Sequence, residues 1–378
     1  MSEYPRFSPA ELARRRSAVE ETMAKAGVSH LLAYGASGVG GAVGWISEWP
    51  ATHEAALLVT PGEQDVLLVQ HYNHLPNARR IATDADVRWG GPDTVTSLID
   101  LLGARGTTSL GVMGPLRFAQ HQRLSEAVDT VVALDADYVR LRLVKSAEEI
   151  DRLREAARLT DAAVAAMTDA ARPGADVRAL AAATEGAYLA AGATNQIHYF
   201  AVTAMADPQM CVPGQFEPAR LIRAGDVLTC EISANYWGYS GQLLRTFTIA
   251  SDPTPHYAAL HAAADAAFDA ITASIRPGAH ASEIVDASGV IEEAGFTIFD
   301  DLVHGYGGGY LPPVLGTRSR SHRPIPDMRI EEGMCLVVQP NVITTDEKSG
   351  VQTGQMGWVD AQGWHSLHDF PRGLVRLG

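Results

Sequence analysis

The chain has 378 residues, of which 46% are hydrophobic and 20% are charged, an ordinary composition for one large globular domain or two smaller ones. Its formal net charge is −14 and its isoelectric point lies near 5.3. This acidic balance argues against a nucleic acid or an anionic membrane surface as the main partner, because no basic excess offsets phosphate charge. We therefore expect a small-molecule substrate or another protein as the partner.

The cysteines and the hydropathy pattern indicate the compartment. Cys211, Cys230 and Cys335 form no CxxC pair, and two of them lie in apolar strand-like segments, which is typical of reduced structural thiols. The opening residues MSEYPRFSPAELARRR lack the apolar core of a signal peptide, and no run reaches the length of about 18 apolar residues that a membrane span needs. We expect a cytoplasmic protein.

The first part of the chain predicts a small α/β domain over residues 1–138. Ser8 is placed as the N-cap of a helix with Pro9 in its first turn, and this helix should end near Ala26, before Gly27. Short apolar runs that stop at Gly or Pro predict strands, with helical segments between several of them. These runs are SHLLAYG, AALLVTPG, DVLLVQHY, SLGVMG and VVALDAD.

A second domain is predicted over residues 139–378. Ser146 and Glu149 have the spacing of a capping box, and apolar residues follow at roughly helical spacing. The pattern therefore predicts a long helix at the start of this domain.

The second domain contains an internal repeat. RPGA begins at Arg172 and again at Arg276, each time followed by a helical segment, and IRAGDVLTCEIS resembles IEEGMCLVVQPN further along each copy. Two similar helix-then-strand units imply two halves related by a pseudo-twofold axis, with their strands side by side in one sheet. The repeat places Glu231 and Gln339 at equivalent positions.

Four segments of the second domain resemble the metal-site strands of the pita-bread family, which includes aminopeptidase P, prolidase, methionine aminopeptidase and creatinase. They are AGDVLTCEISANYWGYSGQLLRTF, VHGYGGGY, EGMCLVVQPNV and GVQTGQMGWVDAQG, in the family's order. The resemblance covers nearly the whole chain. It implies an α/β protein with a small creatinase-like N-terminal domain and a C-terminal pita-bread domain built from the two repeated halves.

The metallopeptidases of this family hold two divalent metals with two Asp, one His and two Glu, and the resemblance implies that most of these ligands are replaced here. The ligand His is retained as His304. The two Asp correspond to Glu231 and Gln242, and the two Glu correspond to Gln339 and Gly354. Two dications need several anionic oxygens, and neutral amides cannot offset their charge. We therefore expect no metal and no other cofactor.

Creatinase is the informative relative, because it keeps the scaffold and hydrolyses a C–N bond without metal, using a histidine and carboxylates. The match is incomplete, since Leu244 stands where creatinase has a carboxylate and the nearest upstream histidine is His198. A second family histidine, used for substrate, corresponds to Leu311. Creatine itself is therefore a poor candidate substrate.

Eight residues form the predicted site. We assign His304 as the acid/base group and Glu231 as the carboxylate that orients water or binds a cationic part of the substrate. An unpaired carboxylate in an apolar strand is costly, so an internal salt bridge, for example with Arg245, is the alternative for Glu231. The predicted substrate-binding residues are Gln242, Gln339, Arg245, Tyr239, His198 and Trp45.

Each of these binding residues has a structural alternative. Gln242 and Gln339 need partners, which are either the ligand or an internal amide network. Arg245 meets either an anionic substrate or neighbouring acids, and Tyr239 is either a ligand contact or a packed residue. In family dimers the N-terminal domain leans over the partner's pocket, so Trp45 is either an aromatic wall there or part of the core or the interface.

The leading hypothesis is a metal-independent pita-bread enzyme that hydrolyses a C–N bond of a small polar metabolite, in the manner of creatinase. A lyase, cyclase or isomerase on the same scaffold is the first alternative, since one His and one Glu can move protons without activating water. A catalytically inactive module that binds peptide or protein is the second alternative, and an Xaa-Pro dipeptidase-type metallopeptidase is the third. The resemblance also implies a homodimer.

Overall fold

The computed structural model describes residues 4–38, 41–216, 218–321 and 323–378. The chain folds into two compact units, Met1–Arg142 and Leu143–Gly378. Each unit combines helices with a mixed or antiparallel sheet, as the α/β prediction requires. Within the described ranges, none of the helices combines the length and the hydropathy that a bilayer crossing demands.

The first unit is built on a six-stranded sheet in the order β4-β3-β2-β1-β5-β6. The pairs β3–β4, β1–β5 and β5–β6 are parallel, and the other two pairs are antiparallel. The strands are β1 (His30–Gly35), β2 (Ala55–Val59), β3 (Val66–Val69), β4 (Asp86–Trp89), β5 (Ser109–Met113) and β6 (Thr130–Ala133). The helices are α1 (Pro9–Ala26), α2 (Ala42–Ser47), α3 (Leu75–Ile81), α4 (Thr94–Ala104), α5 (Phe118–Ala127) and α6 (Asp135–Leu141).

Over its described residues, the second unit contains a ten-stranded sheet, a small three-stranded sheet in the order β11-β15-β16, and five helices. The helices are α7 (Ala147–Ala170), α8 (Val177–Leu189), α9 (Pro255–Ser274), α10 (Ala281–Ala287) and α11 (Val290–Glu293). The strands are β7 (Thr194–Ala204), β8 (Asp226–Tyr236), β9 (Tyr239–Ser240), β10 (Leu243–Ile249), β11 (Thr297–Ile298), β12 (Val303–Gly305), β13 (Leu311–Leu315), β14 (Cys335–Val338), β15 (Asn341–Ile343), β16 (Gly350–Gln352), β17 (Gly354–Asp360), β18 (Gly363–Ser366) and β19 (Val375–Leu377).

Both predicted helix starts are confirmed. Ser8 Oγ accepts a hydrogen bond from the backbone N–H of Glu11 at 3.1 Å, and Gly27 ends α1 in the left-handed region at φ 67°. At the start of α7, Ser146 Oγ accepts from the Glu149 N–H at 3.2 Å, while the Ser146 N–H donates to Glu149 Oε2 at 3.0 Å. This reciprocal capping box fixes the helix that packs behind the site.

The two halves of the second unit repeat the same backbone contacts. The Gly174 N–H donates to Ile222 O at 2.8 Å, and the Gly278 N–H donates to Ile330 O at 2.8 Å. Both glycines have positive φ, 90° and 85°, a conformation that a side chain would strain. In the sheet order β13-β12-β14-β17-β10-β8-β7 the halves meet between β10 and β17. The predicted repeat is confirmed, although β8 and β14 lie in one sheet with β10 and β17 between them.

Each half of the second unit buries its own hydrophobic cluster. One cluster surrounds Leu159 and Phe247, and the other surrounds Phe268 and Leu336. Because each cluster holds helices against the sheet, the central strands are fixed as a platform for polar side chains near the junction of the halves.

Candidate active site

A row of polar side chains lies across the central strands. Gln242 Nε2 donates to Glu231 Oε1 at 2.7 Å and to Gln339 Oε1 at 3.1 Å. Gln339 Nε2 in turn donates to the backbone oxygen and to Oδ2 of Asp301, both at 3.3 Å. Since the amide nitrogen of Gln242 faces two acceptors, its Oε1 must point elsewhere, and this buried oxygen has no hydrogen-bond partner among the described residues.

Strand register explains why Glu231 and Gln242 meet. In the antiparallel pair of β8 and β10, Leu244 lies opposite Glu231, and Gln242 comes two residues before Leu244. Residues two apart on a strand share one face, so Gln242 lies on the face of Glu231. On the other half, the Gln339 N–H donates to Leu302 O at 2.8 Å, which fixes Gln339 beside β12.

His304 extends this row from β12 and is fully buried. Its Nδ1 lies 3.0 Å from the backbone oxygen of Gly305, and a carbonyl oxygen can only accept, so Nδ1 carries the proton. Burial lowers the pKa of His304 to about 4, against the opposing effects of the Gly305 carbonyl and the Gln339 side chain. The imidazole is therefore neutral near pH 7, and its Nε2 lone pair has no hydrogen-bond partner among the described residues.

Tyr310 covers the imidazole of His304. The two rings stack with centroids 3.8 Å apart and an interplanar angle of 17°, and Tyr306 meets the same imidazole edge-on at 5.4 Å. The intervening residues Gly307, Gly308 and Gly309 have φ of 151°, 87° and 123°. Glycine adopts these angles at low cost, so the loop can turn and bring Tyr310 back over the histidine.

Carboxyl groups with raised pKa values line the site. Burial raises the pKa of Glu231 to about 7, and the charge of Asp300 adds to the rise while a hydrogen bond from an amide opposes it. Burial also raises the pKa of Asp301 to about 8, with further increases from Asp300 and Glu231. The pKa of Tyr310 is raised mainly by burial and further by the charges of Asp301, Glu231 and Asp300. Hydrogen bonds join Glu231, Gln242, Gln339 and Asp301 in one row. The Gln339 side chain also acts on the pKa of His304, and Tyr310 stacks on that imidazole.

The structure corrects the predicted placement of Arg245. Its Cα partner in β8 is Cys230, the neighbour of Glu231, so the Arg245 side chain lies on the opposite face of the sheet and forms no salt bridge with Glu231. Arg245 is 1% exposed, and its guanidinium bonds within the fold. It donates at 2.6–2.9 Å to the backbone oxygens of Pro371, Leu244, Gly354 and Phe370 and to Gln355 Oε1.

Tyr239 and Trp45 are packed inside their own units, which corrects their predicted contact with substrate. The Tyr239 hydroxyl donates to Glu149 Oε1 at 2.8 Å and ties β9 to the first turn of α7. Trp45 is 6% exposed and packs edge-on against Tyr138 at 6.1 Å, with the guanidinium carbon of Arg15 5.1 Å from the indole ring. Both side chains therefore serve packing in the structure.

His198 is also directed away from the row. Its Nδ1 lies 3.0 Å from Glu185 Oε1, and its Cα partner in β8 is the residue after Glu231. Alternation along the strand puts His198 on the face opposite to Glu231. Tyr199 pairs directly with Glu231 and therefore lies on the site's face of the sheet.

Asp301 and Tyr310 belong to the site but are absent from the predicted set. Their signals in the sequence are the paired acids directly before VHG and the glycine run directly after it. An acid next to a strand that bears a pocket histidine, and an aromatic residue at the end of a tight glycine turn, are both positions from which side chains return to the same pocket.

The residues present do not fit the pair of metals that the family resemblance implies. The Gln242 amide nitrogen, which can only donate, faces Glu231 at hydrogen-bond distance. At Gly354, a Cβ atom would stand 2.5 Å from Val338 O and 2.6 Å from Gln339 Cα, so no carboxylate side chain has room there. Across the described ranges, no group of three or more His, Cys, Asp or Glu is arranged to hold a metal ion. At the five positions that correspond to the family's ligands, Glu231 is the one remaining carboxylate and His304 the one imidazole, and this pair cannot offset two dications.

The sequence model of metallopeptidase family M24 matches residues 151–361. The chain belongs to this family. Over 315 residues this M24 chain is 24% identical to the uncharacterized hydrolase/peptidase y4tL of Sinorhizobium fredii, a match that covers 77% of the chain and 78% of the relative. Over 263 residues it is 27% identical to the probable dipeptidase PepE of Mycobacterium tuberculosis, covering 67% of the chain and 66% of that relative.

The fold of the M24 chain matches solved structures over almost its full length. The Xaa-Pro dipeptidase from Bacillus anthracis superimposes with a TM-score of 0.82 at 20% identity, covering 97% of this chain and 100% of that one. This likeness confirms the predicted α/β class, with an N-terminal domain followed by a pita-bread domain.

Proposed function

We propose that this M24 chain hydrolyses the C–N bond of a small dipeptide-like substrate, and that it does so without the two metal ions of its family. The relatives named as dipeptidases support the dipeptidase-type alternative better than the leading hypothesis of a creatinase-like metabolite hydrolase. Those relatives do not support metal independence. That part of the proposal rests on a single observation, a buried neutral His304 with an open Nε2, set in a row of amides where the family has carboxylates.

The reaction uses His304 twice. Water adds its oxygen to the carbonyl carbon of the substrate while His304 Nε2 takes one of its protons. The same proton then passes to the leaving nitrogen as the C–N bond breaks, which gives an acid and an amine. The contact of Nδ1 with Gly305 O holds the ring in the tautomer that this step requires.

Gln339 supplies the donor that suits the carbonyl oxygen of the substrate. Its two hydrogen bonds to Asp301 measure 3.3 Å each, beyond the usual N–H to O range, so the Nε2 group loses little by turning to a ligand. An N–H donor aimed at the oxygen where negative charge develops lowers the barrier of acyl transfer.

Access to His304 requires movement of its aromatic cover. His304 Nε2 is buried in the structure, and the stacked Tyr310 is 48% exposed. Tyr310 follows three glycines with positive φ, so its backbone can change direction with little steric penalty. We propose that substrate entry displaces the Tyr310 ring from the imidazole.

The proposal is tested by comparing two histidine variants on an Xaa-Pro dipeptide. His304→Ala should lower turnover by about 10²- to 10⁴-fold, the usual contribution of a positioned acid/base group. His198→Ala is the matched control, because this imidazole lies on the opposite face of β7, and it should keep turnover near the native rate. Equal turnover of the native protein and His304→Ala contradicts the role of His304.

Metal content separates the metal-free reaction from a metallopeptidase. The native protein is incubated with manganese, cobalt, zinc or iron, excess metal is removed, and the bound metal is measured by elemental mass spectrometry. Turnover that persists with far less than one metal per chain supports the proposal. Nearly two metals per chain, together with turnover lost to a chelator, contradicts metal independence and leaves a dipeptidase of the usual family type.

The source of the oxygen in the product separates hydrolysis from the lyase, cyclase and isomerase alternatives. In water labelled with heavy oxygen, hydrolysis places the label in the acid product. Product without label contradicts the hydrolytic step, even if His304→Ala is inactive.

A further inference from the structure

Asn341 uses both polar atoms of its side chain to join two chain segments beside the site. Its Oδ1 accepts from the backbone N–H groups of Phe299 and Asp300, both at 2.9 Å. Its Nδ2 donates to Asp301 O at 2.8 Å and to Gln339 O at 3.3 Å. The residue is 1% exposed. An amide has two N–H donors and one oxygen with two acceptor sites, so the hydrogen-bonding capacity of this buried side chain is filled.

The strand pairing explains why an amide is needed at this place. Strand β11 pairs with β15 in the three-stranded sheet, whereas β12 pairs with β14 in the ten-stranded sheet, so two chain segments cross between the sheets together. The crossings are residues 299–302 and residues 339–340. The backbone ladder is interrupted there, and the Asn341 side chain supplies bonds to backbone groups that the ladder no longer serves.

The backbone oxygen of Asp301 is shared by two amides. Asn341 Nδ2 lies 2.8 Å from it, within the usual N–H to O range, while Gln339 Nε2 lies 3.3 Å from it, beyond that range. Asn341 therefore holds the acceptor that Gln339 would otherwise approach more closely. Without Asn341, the nearest strong acceptor for the Gln339 amide is this backbone oxygen.

We infer that Asn341 is a positioning residue, which occupies the Asp301 carbonyl and so keeps the Gln339 N–H available to the substrate. The inference rests on the proposed function for the step in which Gln339 donates to the carbonyl oxygen of the substrate. Asn341 itself acts only through the placement of the two crossing segments and of the Gln339 amide.

The first test is structural and needs no substrate. In a crystal structure of Asn341→Ala, Gln339 Nε2 should lie about 2.9 Å from Asp301 O, because its competitor is gone. Asn341→Asp is the second variant in case the first folds poorly, since its carboxylate still accepts from the two N–H groups but cannot donate to Asp301 O. Asn235→Ala is the matched control, because the Asn235 side chain accepts from the Gly238 N–H rather than bonding the polar row, and it should leave Gln339 in place.

The second test is a kinetic cycle with alanyl-proline as substrate. Asn341→Ala and Asn341→Asp should each lower kcat by about 10- to 100-fold, less than the complete loss of such a donor, and should change KM much less. In the Gln339→Ala background the same substitutions should lower kcat by less than about 2-fold, because the donor that Asn341 serves is already absent. A role confined to holding the turn predicts native kcat in Asn341→Asp and equal losses for Asn341→Ala in both backgrounds.

The outcomes separate this inference from the proposed function. A Gln339 amide that moves onto Asp301 O in the Asn341 variants, together with no hydrolysis by the native protein, supports the inference and contradicts the proposed hydrolysis. A Gln339 amide that keeps its native position in both variants overturns the inference. Native kcat in both variants, or equal losses of kcat in the native and Gln339→Ala backgrounds, also overturns it.

Discussion

The two faces of the β8–β10 strand pair treat their polar side chains in opposite ways. On one face, Arg245 is fully buried and directs its donors to five oxygens of the fold. On the other face, Gln242 and the neighbouring His304 leave buried acceptors open, beside a carboxyl whose pKa burial raises. A buried group with all its bonds made stabilises the fold, whereas an open buried acceptor costs free energy and indicates a ligand.

The largest change in stability is expected at Arg245, on the face where the buried donors all have partners. Arg245→Met should lower the free energy of unfolding by about 3–5 kcal/mol, because it leaves several buried oxygens without donors. The measurement is urea unfolding at constant m value. Arg158→Met is the control, since this arginine side chain is 62% exposed and forms an ion pair with Glu155 of its own helix, and it should cost less than about 1 kcal/mol. A similarly small loss for Arg245→Met contradicts the comparison.

On the face that carries Glu231, a substitution should instead raise the free energy of unfolding. Glu231 has a pKa of about 7 in the folded chain and 4.5 in the unfolded chain, so the folded state holds the proton more tightly and stability falls as pH rises through this window. Glu231→Gln removes this loss and should be more stable than the native protein by about 1–3 kcal/mol at pH 8, with little difference at pH 4.

Other groups near Glu231 shape the same pH profile. The pKa of Asp301 is raised to about 8, so this group adds a loss of folding stability that continues to higher pH. The pKa of His304 is lowered to about 4, so this group contributes stability that increases with pH between about 4 and 6.5. The pH series of Glu231→Gln and the native protein is therefore measured by urea unfolding in the presence of a chelator. A native protein that is more stable than Glu231→Gln at pH 8 would show that Glu231 has a cationic partner.

The smallest effect is expected at the packed tyrosine behind the sheet. Tyr239→Phe removes one buried hydrogen bond to Glu149 and should cost about 1 kcal/mol of unfolding free energy while dipeptide turnover stays native. Tyr72→Phe, at a side chain 70% exposed, is the control and should change neither quantity. A large loss of turnover in Tyr239→Phe would contradict the packing role and indicate that Tyr239 contributes to the site.

Much of the fold could be predicted from local patterns. The caps at Ser8 and Ser146 fix helix starts through bonds within three residues, and the two RPGA turns carry the glycine conformations that each half requires. The order of the strands depends on long-range pairing instead. Local patterns therefore do not indicate that β10 and β17 lie between the two repeated strands.

The site could be predicted only in part for the same reason. The motif residues Glu231, Gln242, Gln339 and His304 are brought to one place, but the face on which a side chain lies depends on strand register. Arg245 and His198 pair with the neighbours of Glu231 in β8, so their side chains lie on the opposite face of the sheet. Strand register is set by long-range pairing and cannot be obtained from the sequence motifs. Tyr239 bonds a residue 90 positions away, a distance over which local patterns carry no information.

The close approach of backbone at Gly354 has an evolutionary consequence. Gln242→Glu and Gln339→Glu change the side-chain volume little, but a side chain at Gly354 meets the main chain of β14 and Gln339 at once. Substitutions at Gln242 and Gln339 can therefore add carboxyl groups to the site, whereas a carboxylate at position 354 requires the neighbouring strands to move apart. The close approach of Gly354 to the neighbouring main chain therefore favours further adaptation of the amide-lined site.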